Sequence, residues 1–126
     1  MGRKRSGSLG DKAEHLAQRF LLRQGLKPVT RNFRRRGGEI DLIMLHADCL
    51  TFIEVRCRSS TRFSSPALTV DHRKQQKLLR TAALFVASSR EYAQHTMRFD
   101  VVAITGHDDA SIEWIKDAFR PADSTL

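Results

Sequence analysis

The chain has 126 residues, 40% hydrophobic and 29% charged, with a formal net charge of +8. That length suits one domain with a modest core, and no apolar run is long enough to span a bilayer as a helix. The excess charge attracts polyanions, so nucleic acid is the expected partner, and no segment joins a basic face to the aromatic anchors of a membrane-surface helix.

Residues 1–9 are rich in Gly, Ser, Lys and Arg and read as a flexible basic tail. They lack the apolar stretch of a secretion signal, so the expected location is cytoplasmic. Residues 10–120 form the expected single domain, with a loose C-terminus at 121–126. Ala13, Leu16, Ala17, Phe20 and Leu21 recur at three- and four-residue intervals, which predicts a helix from Asp11 to Gln24. Asp11 suits its first turn and Gly25 the position just past its end, while Glu14 falls at the margin of the apolar face. Three strands follow: Val29–Arg34, Glu39–Leu45 and Leu50–Cys57. The basic turn closed by Gly37-Gly38 and the turn at His46-Ala47-Asp48 are short, which implies an antiparallel meander. Ser59 to Ser65 is a polar loop. A second helix opens at Asp71 and runs to about Ser88, with Leu78, Leu79, Ala82, Ala83, Phe85 and Val86 apolar. Met97–Ile104 and Ser111–Lys116 complete the strands, separated by a turn at 106–109. The order α-β-β-β-α-β-β implies an α/β fold, a mixed sheet of about five strands flanked by helices.

Carboxylates interrupt two of these strands. Side chains alternate along a strand, so Glu39 and Asp41 share a face of one, and Glu54 and Arg56 a face of the next. If the faces coincide, Asp41 and Glu54 converge, and with the Val55 carbonyl they make a hard-oxygen site suited to Mg²⁺ or Mn²⁺. The competing reading is an ordinary ion pair between these acids and Arg56 or a nearby arginine, and residue chemistry alone leaves the two equal. Glu39 is expected to pair with Arg34–Arg36 across the turn, and Asp100 to be structural with an arginine partner. The five histidines make no zinc-binding spacing, and Cys49 and Cys57, which are not C-x-x-C, are expected to be reduced. Basic residues cluster at Arg34, Arg35, Arg36; at Arg58 and Arg62; and at Arg73, Lys74 and Lys77, the expected nucleic-acid contacts.

Glu14, Gly38-Glu39-Ile40-Asp41-Leu42-Ile43, Phe52-Ile53-Glu54-Val55-Arg56, Arg73-Lys74-Gln75, Arg98-Phe99-Asp100-Val101-Val102 and Glu113-Trp114-Ile115-Lys116-Asp117-Ala118-Phe119 stand in order along the chain. Together they resemble the YraN family, which is similar to Holliday-junction resolvases of the PD-(D/E)xK nuclease superfamily. The resemblance spans about Gly10 to Phe119. It implies a restriction-endonuclease-like core and metal-dependent cleavage of DNA, branched or structured DNA included. It further implies that Asp41 and Glu54 ligate the metal, that Glu14 completes the acidic cluster, that Gln75 supports the site from the second helix, and that the active form is a homodimer. One position departs from the pattern: the superfamily lysine two residues after the second acid is Arg56. Arginine keeps its proton and cannot act as a neutral base, though it can orient water or hold a phosphate. Lys74, on the second helix, can approach the site and is a candidate substitute for that lysine. The departure keeps a second function open, a nuclease-like fold that binds nucleic acid without cutting it, and a third, a basic protein that binds RNA or ribosomes.

Overall fold

The computed structural model describes residues 9–58, 70–105 and 111–121. Outside them lie residues 1–8 of the basic tail, the 59–65 loop with Arg62, the 106–109 turn and the chain after Pro121, together with the side chain of Arg58. The described elements are α1 (Leu9–Arg23), β1 (Lys27–Arg35), β2 (Gly38–His46), β3 (Cys49–Arg58), α2 (His72–Ser88), β4 (Thr96–Thr105) and β5 (Ser111–Phe119), with a 3-10 turn at Arg90–Tyr92. This is the α/β order that the hydrophobic pattern predicts.

The five strands form one mixed sheet in chain order, β1 to β5. β1, β2 and β3 make the expected antiparallel meander. β3 and β4 run parallel, which requires a long crossover, and α2 lies on that crossover. β5 returns antiparallel to β4. The two helices cover opposite faces of the sheet. On one, Ala13, Ala17 and Leu21 of α1 pack on Leu42, Met44, Ile53, Val102 and Ile104. On the other, Leu78, Ala82 and Phe85 of α2 pack on Ile43, Leu50, Phe52, Phe99 and Val101. A strand covered on both faces should be apolar throughout, and Phe99 to Ile104 of β4 is continuously buried.

Local chemistry sets the ends of these elements. Gly25, at φ +96°, ends α1: its N–H donates to the Leu22 carbonyl, and the Leu26 N–H donates to the Leu21 carbonyl at 3.1 Å. That paired closure needs a left-handed residue, and Leu21 and Leu26 are buried in the same cluster beside it. Gly37, at φ +88°, closes the two-residue turn between β1 and β2. Asp71 caps α2 by accepting the Lys74 N–H at 2.9 Å.

β5 runs three residues past its predicted end at Lys116. Asp117, at φ 57°, marks an irregularity in the pairing with β4, after which Phe99 lies opposite Phe119. The cause is Asp100, fully buried in β4. It accepts from Arg98 Nε and Nη2, both at 2.8 Å, from Trp114 Nε1 at 2.9 Å and from the Asp117 N–H at 3.0 Å. Asp100 is thus structural with an arginine partner, and it holds the kinked strand to its neighbour.

Candidate functional site

The backbone pairing of β2 with β3 reaches its last matched residues at Leu42 and Ile53, and one step further the same register sets Asp41 opposite Glu54. There the Asp41 side chain takes over the ladder, with Oδ2 accepting the Val55 N–H at 2.9 Å. Glu54 lies on the α2 side with Leu50 and Phe52, and only 8% of its side chain is exposed. Its Oε2 meets Lys74 Nζ at 3.0 Å and Arg56 Nε at 3.5 Å. The Asp71 cap fixes Lys74 in the first turn of α2, so the lysine reaches the sheet from above.

Asp41 and Glu54 open into one cleft of about 500 Å³ between the β1–β2 turn and the start of α2. Glu39 lies on its acidic side, Arg73, Lys74 and Lys77 on its basic side, and Gly37 and Gly38 on its rim. The approach of turn to helix depends on Gly38: an added Cβ would overlap the Thr81 hydroxyl, which donates to the Lys77 carbonyl at 2.8 Å.

Burial, then repulsion from Glu54, pushes the Asp41 carboxyl well above the ordinary carboxylate range; Glu14 and Glu39 add to the rise, and the Val55 N–H opposes it. Among the described residues no cation pairs with Asp41. Glu39 meets Arg34 Nε at 3.3 Å, the expected pair across the turn. Glu14 is buried on α1, at the opposite face of the sheet, and is not part of the cleft wall. Between these acids stands Asn32, at φ 52°. Assigned from its surroundings, its amide nitrogen donates to Glu14 Oε1 at 3.0 Å and Glu39 Oε2 at 3.2 Å. Sequence reasoning missed Asn32. The available signal was a poor strand former, able to adopt a left-handed backbone, in the middle of a predicted strand.

Gln75 is placed elsewhere: its Nε2 donates to the Val70 carbonyl at 2.8 Å, which ties the chain entering α2 to the helix. Of the hairpin arginines, Arg35 is exposed, donates to the Arg34 carbonyl and lies 4.3 Å above the Phe33 ring, while Arg36 is exposed at the turn. Cys49 and Cys57 are free thiols. No described helix is long and apolar enough to cross a membrane.

Among the described residues no group of three or more His, Cys, Asp or Glu side chains is placed to hold a metal ion. The arrangement is an open one: two carboxylates from adjacent strands beside a peptide group, with one carboxylate raised by burial and by other acids and the other held by cations. Such a donor set fits Mg²⁺ or Mn²⁺, hard cations that bind through one or two carboxylates and keep water in their remaining positions.

The uncharacterised protein family UPF0102 matches residues 13–104, a span that holds Glu14, Asp41, Glu54 and Lys74. The chain is 44% identical over 115 residues to a UPF0102 protein of Pseudomonas putida strain W619, covering 90% of this chain and 94% of that one. It is 47% identical over 110 residues to one from Saccharophagus degradans, covering 87% and 91%. With one from Klebsiella pneumoniae it shares 46% over 123 residues, 94% of each chain. With a family match over most of its length and relatives at this identity, the chain belongs to the UPF0102 (YraN) family.

Proposed function

We propose that this protein is a Mg²⁺- or Mn²⁺-dependent endonuclease that acts on DNA phosphodiesters, with branched or structured DNA as its substrate form. The observation that carries the reading is the meeting of Asp41 and Glu54 at one cleft whose opposite wall is Arg73, Lys74 and Lys77. Acids that hold a cation, beside bases that hold a phosphate, are what hydrolysis of a polyanion needs. A bound divalent ion supplies Lewis-acid chemistry, acidifying water and neutralising charge that develops on the phosphodiester.

The chain's own residues do the rest. Asp41 and Glu54, with the Val55 carbonyl, would hold the ion. The Val55 N–H fixes the Asp41 carboxylate in place. Arg56, as a permanent cation beside Glu54, stabilises phosphate charge without serving as a base. Arg73, Lys77 and the Arg34–Arg36 turn hold the flanking backbone, which makes binding salt-dependent. Resolving a branch takes two cuts, so a homodimer is the proposed assembly, by analogy with the resolvases. A cytoplasmic location accords with the two free thiols.

The test incubates four-way-junction and linear duplex DNA with the protein and Mg²⁺ or Mn²⁺. The expected result is junction cleavage that is lost in Asp41→Asn and in Glu54→Gln. Cleavage that survives both substitutions refutes the site. Tight binding with no cleavage in either metal establishes the second reading, a DNA-binding module, which the cation pairing of Glu54 favours. Stronger binding to structured RNA than to junction DNA would move the substrate to RNA.

A further inference from the structure

Among the described residues Lys74 is the one lysine that meets an acid of the site. Its Nζ is 3.0 Å from Glu54 Oε2, yet 44% of its side chain remains exposed, against 25% for Arg56 and 8% for Glu54. The backbone of Lys74 is pinned by the Asp71 cap, while its four-carbon stem is free to swing toward the basic wall of the cleft. Resting on the metal-site reading, we infer that Lys74 is an exchangeable counter-ion. Its ammonium neutralises Glu54 until a divalent cation takes that carboxylate, and it then turns to a phosphate of the bound nucleic acid.

The geometry makes both occupants at once unfavourable. A Mg²⁺ ion binds oxygen at about 2.1 Å. With the ammonium 3.0 Å from the same oxygen, the two charges would stand no more than about 5 Å apart. Repulsion between a double and a single charge at that distance, even in water, weakens metal binding on the order of tenfold. Arg56 is the poorer candidate for exchange, because its side chain is less exposed and its Nε is farther from Glu54. The exchange has a functional consequence: the metal releases a cation next to the position where the phosphate charge must be met. Lys74 thereby becomes a phosphate-positioning residue whose availability depends on the metal.

The test is a Mn²⁺ titration followed by electron paramagnetic resonance, on the full chain at low salt without nucleic acid. It compares wild type, Lys74→Gln and Lys74→Arg, with circular dichroism to establish that each is folded. The expected result is roughly tenfold tighter Mn²⁺ binding by Lys74→Gln, and wild-type affinity in Lys74→Arg, which keeps the charge. Equal or weaker binding by Lys74→Gln overturns the exchange while leaving the site in place. Absence of Mn²⁺ uptake by all three proteins overturns the metal site itself, and the exchange with it.

Discussion

Gly38→Ala is expected to force the β1–β2 turn away from α2. Gly38 does not occupy a positive-φ backbone, so alanine is allowed there on conformational grounds. The obstacle is space: its Cβ would overlap Thr81 Oγ1, whereas Thr81 Cβ and the Lys77 carbonyl lie at an ordinary 3.4 Å. Thr81 is buried at 2% exposure and its hydroxyl is bonded to the Lys77 carbonyl, so it cannot turn aside without losing that bond. Overpacking of this kind costs about 1–3 kcal/mol. An overlap this severe belongs in the upper half of that range, about 2–3 kcal/mol, and replacing a strand glycine returns roughly 0.5–1 kcal/mol of chain entropy, which leaves a net loss of about 1–2.5 kcal/mol. Thr81→Ala removes the obstructing oxygen, so the double variant should recover at least about 1 kcal/mol relative to additivity. Urea denaturation of the four proteins in the cycle measures this directly. A Gly38→Ala loss under about 0.5 kcal/mol, or two additive losses, would refute the close approach of turn to helix.

Three further outcomes are expected. Asp100→Asn replaces a buried carboxylate that meets four donors with an amide that must present a donor to some of them; a loss of about 3–5 kcal/mol in urea denaturation is expected, and a loss below about 1 kcal/mol would contradict the account. Asp41→Asn should raise the melting temperature near neutral pH, because the folded protein holds Asp41 against burial and three neighbouring acids, while the amide oxygen can still accept the Val55 N–H. By the same sign, wild-type stability from this group is lowest above the raised value and improves as pH falls through it toward 3.8; a melting temperature lowered by the substitution would count against it. Burial, then Arg98 and Lys116, lower the His46 pKa, so the unfolded chain protonates first as pH falls below 6.5 and stability drops there; His46→Gln should flatten that part of the curve, and an unchanged slope would exclude the effect.

Much of the fold was legible because the hydrophobic periods are clean. Both helices and all five strands lie close to where the alternation placed them. The end of β5 was not, because Lys116-Asp117 reads as a polar stop. Only the fold shows that Asp117 turns its N–H to Asp100, from a strand distant in sequence. The Asp100–Arg98 pair was readable from an acid inside an apolar run, whereas Trp114 and the His46 Nδ1 contact at 3.0 Å depend on strand order. In the candidate site, strand alternation was enough to put Asp41 and Glu54 on a shared cleft. Gln75 does not line that cleft and gives its amide to the Val70 carbonyl, and Glu14 of α1, also outside the lining, is joined to Glu39 through Asn32 and adds to the charge that acts on Asp41. Lys74 reaches Glu54 because a cap sets the first turn of α2, a detail of one hydrogen bond.

The most direct test of the central claim is a crystal of the protein soaked in Mn²⁺ and measured at the manganese absorption edge. The account predicts an anomalous peak held by Asp41, Glu54 and the Val55 carbonyl, with the Lys74 ammonium displaced from Glu54. A saturated soak with no peak there, and with Lys74 and Arg56 still seated on Glu54, would contradict it.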